Sequence, residues 1–522
     1  MKGAAGMALI SIIENFKPKN DEKLLRRAEQ LRPVIYRKKV KPAGVFRLKD
    51  RYSREIVSIP GNTFQDIVLG KGDNICHDFG DHHVGRLFLE LAGKGSHPDA
   101  PAFIKLKFAE TLAELSENSM EYDEWVSSSW IQEEYIHADT LPAAVSPRRR
   151  YAFRYLKITV IDTSPKYKLT ISDVFINTET SADDKAVLPA YKGDEELSAI
   201  YSMCQRTIRN CMQEVFEDGP KRDRRLWTGD LRLQALANYA TYGNNDLVKR
   251  CLYLFAGSRF PDGKVAACVF TDPEPAADDT CIYDYMLFFA AALCEYFEET
   301  GDREALTDLY GIAQEQIDIA LRTVDANGIV HGEELGTVFV DWSEGLHKDA
   351  AAQGILIYAV GYAVKLALHN GDRKRVEYLE KKNNLFRSAA RKYFWDSDRA
   401  CFVSGGQAAL ATQVWMVLAG CASGEEAAAI FERADDFSCE CTMMTPYMHH
   451  YYIMALLSCG RKEQALGHIR WYWGSMVKAG FDTCPETWVP EDPSASPYGG
   501  TAVNSYCHAW SCTPVWILKK YF

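Results

Sequence analysis

The segment Asp218-Gly-Pro-Lys-Arg-Asp223-Arg-Arg-Leu-Trp227-Thr-Gly-Asp230 gathers three carboxylates, three arginines and a tryptophan into thirteen residues. A carboxylate withdrawn from water needs a cation or a hydrogen-bond donor, and Arg222 and Arg225 are placed to supply one. Pyranose binding asks for this mixture. Carboxylates accept paired hydroxyl hydrogens, an indole face covers the C–H side of the ring, and a carboxyl kept protonated donates to a leaving oxygen. The same residues also describe a solvated helix N-terminus with capping acids. The segment alone leaves both readings open.

The order Asp-x-Pro-x-Arg-acid-Arg followed by Trp-Thr-Gly-Asp resembles the catalytic loop of the α-L-rhamnosidases of glycoside hydrolase family 78. Further motifs carry the resemblance. Gly480-Phe-Asp-Thr-Cys-Pro-Glu486 is similar to the family's Gly-Ala-(Asp/Thr)-Thr-x-Trp-Glu, and Asp341-Trp342 and Asn504-Ser-Tyr-Cys-His508-Ala-Trp510-Ser511 follow the same family. The likeness runs from Asp78-Phe79-Gly80 to the end of the chain, in family order. It implies an exo-acting, inverting hydrolase that removes terminal α-L-rhamnose from small rhamnosides without a cofactor or a metal. Inversion needs one carboxylic acid for the leaving oxygen and one carboxylate for a water on the opposite ring face. The resemblance assigns these roles to Asp223 and Glu486 respectively. It further implies that Asp218, Asp230 and His508 hold sugar hydroxyls and that Arg222 stands beside the acid. Trp227 and Trp342 then stack on the sugar or line its C5 methyl.

Two departures bear on these roles. The family's acid is commonly Glu, and its Leu-Gly-Trp is here Leu226-Trp227, so one alternative alignment sets Arg224 at the acid position and describes a dead enzyme. Anchoring on Arg222 and on Trp-Thr-Gly-Asp keeps a carboxyl there, Asp223. Pro485 stands where an aromatic residue usually precedes the base, and Glu491 is the fallback carboxylate outside the motif. Plain structural roles compete with each assignment: helix capping for Asp230, core packing for Trp227 and Trp342, and a satisfied structural imidazole for His508. A pocket for a 6-deoxy sugar needs apolar surface around a methyl group, and it rejects the hydroxylated analogue only about a hundredfold.

The elements that position these residues read in two parts. Up to residue 190 the chain reads as β-structure: Ile104-Lys-Leu106-Lys-Phe108 and Tyr167-Lys-Leu169-Thr-Ile171 alternate at the strand period, and 87–91 and 155–161 are further strands. Pro and Gly punctuation, such as Pro60-Gly61, suits antiparallel connections and an N-terminal β-sandwich domain over 1–190. A polar linker spans 183–194. Residues 191–522 change to the helical period: Leu247, Val248, Cys251, Leu252 and Phe255 share one face, and Leu306, Leu309, Ala313, Ile317 and Leu321 another. Turns recur at Gly243-Asn-Asn, Gly301-Asp302, Gly371-Asp372, Ser423-Gly424 and Gly460-Arg461, which implies five or six helical hairpins. Such hairpins form either an open solenoid or a closed barrel, and the resemblance selects an (α/α)6 barrel. Its functional loops are then 218–230, 258–280, 331–349 and 481–502.

Composition sets limits. The 522 residues, 47% hydrophobic and 25% charged, exceed one ordinary core, and the net charge of −11 opposes a nucleic-acid partner. Residues 1–13 faintly imitate a signal peptide but lack a small-residue cleavage site. No continuous apolar run reaches the roughly twenty residues of a membrane span. Fifteen cysteines without a regular framework suit free thiols in a reducing cytoplasm. Cys76-His77-Asp78 with Asp81-His82-His83, and Cys439-x-Cys441 with His449-His450, hold metal-ligand types without a standard zinc spacing. The family implies a homodimer. Two other functions stay open: an (α/α)6-barrel glycosidase for another sugar, and an inactive rhamnose-binding homologue.

Overall fold

A computed structural model describes residues 13–50, 53–56 and 67–522. The signal-like run up to residue 12 and the Pro60-Gly61 turn lie outside the described residues, as does the Cys439 side chain.

The chain opens with strand β1 (Lys19–Asn20) and helix α1 (Glu22–Gln30), capped by the Asp21 carboxylate. These residues, grouped by sequence with the β part, pack on the helical part instead. β1 pairs with β13 (Ser258–Arg259), and α1 buries Leu24 and Ala28 toward the helix that precedes β13. The approach is close: a side chain at Gly257 would stand 2.7 Å from Leu25.

From Tyr36 to Thr180, ten strands of one antiparallel sheet follow: β2 (Tyr36–Val40), β3 (Gly44–Leu48), β4 (Arg54–Ile56), β5 (Val68–Leu69), β6 (Asn74–Gly95), β7 (Ala102–Ala109), β8 (Glu133–Ala138), β9 (Ala143–Val145), β10 (Tyr151–Asp162) and β11 (Tyr167–Thr180). The four strands read from the sequence lie within β6, β7, β10 and β11. The main path runs β2-β11-β6-β10-β7-β8. At 22 residues β6 is long enough to serve two partners. Its first half pairs with β10, Ile75 opposite Ile158, and its second half with β11, Leu91 opposite Ile171. The alternating residues Leu87, Leu89, Leu91, Ile104, Leu106 and Leu156 bury one common core. The short helix α2 (Leu112–Ser116) and the loop through Trp130 separate β7 from β8.

The helical part comprises α3 (Glu195–Cys211), α4 (Thr228–Thr241), α5 (Asn245–Gly257), α6 (Tyr283–Thr300), α7 (Arg303–Leu321), α8 (Asp349–His369), α9 (Arg373–Phe394), α10 (Leu410–Leu418), α11 (Gly424–Phe431), α12 (Ala434–Glu440), α13 (Pro446–Ser458), α14 (Lys462–Lys478) and α15 (Pro514–Tyr521). α4 packs on α6, α6 on α8, α8 on α10 and α10 on α13, while α15 returns to α4. Every residue of α4 is buried, as expected of a helix enclosed on all sides. α8 has the length and hydropathy of a membrane span, yet 67% of that window is buried within the protein, between α6 and α10. Three of the predicted turns form as read: Gly243, Gly301 and Gly371 are left-handed, and Asn244, Asp302 and Asp372 cap the next helix through their side chains. The other two differ, because Gly424 begins its helix and Arg461 takes the cap position without a side-chain bond.

Candidate active site

The 218–230 loop is organised by Asp218. Its Oδ1 accepts from Arg225 N at 3.0 Å and its Oδ2 from Asp223 N at 3.2 Å, while its own N donates to Arg225 O at 3.0 Å. These bonds fold the loop around one buried carboxyl. Only glycine fits at 219, where a Cβ would stand 2.5 Å from both Arg222 O and Ser505 Oγ. Asp223 faces the cavity. Arg224, at φ 63°, does not line it, and its Nη2 reaches Arg150 O at 2.7 Å. After the turn, β12 (Leu226–Trp227) pairs with β14 (Cys268–Phe270), and β14 with β15 (Ala276–Ala277).

One guanidinium lies between the two proposed reacting carboxyls. Arg222 Nη1 is 3.3 Å from Asp223 Oδ1, and Nη2 donates to Glu486 Oε2 at 2.6 Å. The Tyr498 hydroxyl donates to Glu486 Oε1. Arg222 is held in turn by Val503 O at 3.0 Å and by the Tyr498 ring, 4.1 Å from its carbon. Burial pushes the Glu486 carboxyl above its ordinary range, against the pull of Arg222 and Tyr498. Burial and the charge of Asp223 raise Asp218 to about 7. Asp230 is held well above its ordinary value, by burial first and then by Asp218 and Glu486. Burial and Arg222 keep His508 neutral, with its pKa well below the usual range. Asp230 Oδ1 and His508 Nδ1 lie 3.7 Å apart, each buried without a hydrogen-bond partner among the described residues. Asp230 sits in the first turn of α4 but is not its N-cap, a position taken by Trp227.

These groups line a cavity of about 460 Å³ together with Trp227, Trp342, Phe339, Tyr285 and Trp510. All eight residues singled out by sequence, Asp218, Arg222, Asp223, Trp227, Asp230, Trp342, Glu486 and His508, share it. Each of the four predicted loops contributes to its wall. Glu491 is exposed and does not line it. Asp341, next to Trp342, lies behind the wall, accepting from Thr445, Ser343 and Met444 N.

Residues 51–178 match the model of the glycosyl hydrolase family 78 alpha-rhamnosidase N-terminal domain, and 193–521 that of the bacterial alpha-L-rhamnosidase 6 hairpin glycosidase domain. A solved rhamnosidase from Klebsiella oxytoca with rhamnose bound is 42% identical, with a TM-score of 0.93 over 97% of this chain and 99% of that one. The chain belongs to glycoside hydrolase family 78. The family rhamnosidase of Bacillus sp. GL1 is 21% identical, with a TM-score of 0.74 over 90% of this chain and 49% of that one. The Streptomyces avermitilis α-L-rhamnosidase complexed with L-rhamnose is 16% identical, at 0.64 over 94% and 44%. These two share the fold. No curated protein matches the chain.

For this family 78 chain, sequence reasoning missed Tyr498 and the contribution of the β part. Trp125, Val126 and Trp130 reach the cavity from the loop between β7 and β8. Tyr122 OH donates to Tyr498 O and Trp125 Nε1 to Pro497 O, each at 2.9 Å. Tryptophans in a polar loop were a usable signal, but nothing local says which pocket they reach. The two sequence candidates for metal ligation have other partners. His82 Nε2 is 2.9 Å from Glu110, His449 is 2.8 Å from His468, and Cys441 Sγ donates to Glu344 O.

Proposed function

We propose that this chain is an exo-acting α-L-rhamnosidase that inverts at the anomeric carbon, with Asp223 as general acid and Glu486 as general base. The observation that carries the reading is Arg222, whose two terminal nitrogens bridge Asp223 and Glu486 inside the cavity. Two carboxyls held apart by one guanidinium, both facing the same cavity, suit the separated acid and base that inversion needs. Asp223 gives its proton to the glycosidic oxygen. Glu486, oriented by Arg222 and Tyr498, takes a proton from the water that attacks the opposite face. Asp230 Oδ1 and His508 Nδ1, buried without a hydrogen-bond partner among the described residues, receive rhamnose hydroxyls, and the cluster Trp227, Trp342, Phe339 and Tyr285 suits the ring face and the C5 methyl. Asp218 is largely engaged by backbone N–H groups, so its role is to hold the acid loop as well as any sugar contact.

The finer architecture belongs to the same proposal. The ring of contacts from α4 through α13 and back by α15 supports an (α/α)6 barrel over 191–522, and the long shared strand β6 supports a β-sandwich before it. Free thiols at all fourteen described cysteines suit a cytoplasmic enzyme acting on small rhamnosides. The test is release of p-nitrophenol from p-nitrophenyl α-L-rhamnoside, with the product anomer followed by proton NMR. First-formed β-rhamnose is expected, with kcat lowered at least a hundredfold by Glu486→Gln on the aryl glycoside and by Asp223→Asn on a rhamnosyl disaccharide, whose basic leaving oxygen needs the acid. First-formed α-rhamnose would reject inversion, and an Asp223→Asn variant unimpaired on the disaccharide would reject the acid.

A further inference from the structure

The ribbon of β12, β14 and β15 carries a second polar group beside the acid. Arg225 enters β12 with its backbone closed on Asp218 by two hydrogen bonds of 3.0 Å, so its position is fixed. The ladder that pairs Leu226 with Val269 sets Arg225 against Phe270, and its guanidinium carbon lies 4.7 Å from that ring's centre. On the next strand Val269 pairs with Ala277 and Asp278 N donates to Cys268 O at 3.0 Å, which brings Asp278 beside them. Arg225, Phe270 and Asp278 all line the cavity, half-buried, whereas Glu486, Asp230 and His508 are fully buried. The three residues therefore lie toward its solvent end. The Arg225 guanidinium makes no side-chain hydrogen bond or ion pair among the described residues and is held by packing on Phe270.

The general acid of a glycosidase stands on the leaving-group side, because it gives its proton to the bond oxygen. Arg225 follows Asp223 by two residues in the same loop. We infer that Arg225, Phe270 and Asp278 form a leaving-group subsite for a hydroxylated glycosyl unit, so that rhamnosyl disaccharides are preferred over rhamnosides of purely aromatic alcohols. The planar guanidinium presents several N–H donors to hydroxyl oxygens, Asp278 accepts from hydroxyls, and Phe270 packs against the guanidinium and limits its movement. An aromatic leaving group can stack on the guanidinium but brings no hydroxyls to its N–H groups or to Asp278, so it forgoes the hydrogen bonds a glycosyl unit makes there. The inference rests on Asp223 being the acid.

The test compares kcat/KM for a rhamnosyl-glucose disaccharide and for p-nitrophenyl α-L-rhamnoside in wild type, Arg225→Met and Asp278→Asn. The disaccharide-to-aryl ratio is expected to fall about tenfold to a hundredfold in Arg225→Met and less in Asp278→Asn. Thermal melting and inhibition by free rhamnose confirm that each variant is folded with an intact sugar site. Phe270→Leu, which keeps both charges, provides a second route and should lower the same ratio. Equal losses on both substrates, or an unchanged ratio, would overturn the subsite while leaving the hydrolase reading in place. Full activity of Asp223→Asn on the disaccharide would instead strike the acid and, with it, the subsite.

Discussion

Glu486 is buried, yet as a base it must be ionised, and Arg222 and Tyr498 oppose the burial that raises its pKa. Tyr498→Phe removes one of the two interactions that favour the carboxylate. Its pKa then rises, and the acidic limb of the kcat/KM profile moves to higher pH, with kcat roughly tenfold lower at neutral pH. A merely structural tyrosine would lower stability without moving that limb. Asp230 shows a cost of function. Its folded pKa lies well above its ordinary value, so the folded state binds its proton more tightly than the unfolded chain does. Its contribution to stability therefore falls as pH rises above the ordinary Asp range. Asp230→Asn removes that penalty: the melting temperature at neutral pH should rise, and KM for the aryl rhamnoside should increase roughly tenfold as a hydroxyl acceptor is lost.

Among the elements, the helical hairpin turns are local devices and the acid loop is not. Gly371 is left-handed with nothing within 4 Å of an added Cβ, so Gly371→Ala isolates the backbone term. About 1 kcal/mol of stability should be lost, read as a lower melting temperature with kcat/KM unaffected. The acid loop depends on a distant partner. Lys221 Nζ, buried beside Arg222, donates to Glu114 of α2 in the β part and to Asn504 O at 2.8 Å. Lys221→Met leaves Glu114 buried without its cation and should cost about 3–5 kcal/mol in denaturant unfolding, with reduced activity in the fraction that stays folded.

At the scale of the molecule, the β part is joined to the base loop by charge. Arg154 of β10 makes two bonds to Asp482, at 2.8 and 2.9 Å, and two to Asp78, the acid of Asp78-Phe79-Gly80. Arg154→Met should lower stability by roughly 2–3 kcal/mol and lower kcat more than it raises KM, because Asp482 lies four residues before Glu486. The sequence by itself determined the strands β6, β7, β10 and β11, the three Gly-Asx turns and the eight candidate site residues. Period, capping chemistry and motif are properties of neighbours along the chain, and a loop motif keeps its spacing wherever the chain carries it. Tertiary structure alone decided that α1 leaves the β part for α5, that Trp125 and Trp130 reach the cavity and that Tyr498 orients Glu486. It also decided that Arg224 turns from the cavity while Asp223 faces it. Each of these depends on contacts between residues far apart in sequence or on a left-handed turn imposed by the packing around it, and no periodicity along the chain encodes which distant surface a side chain meets.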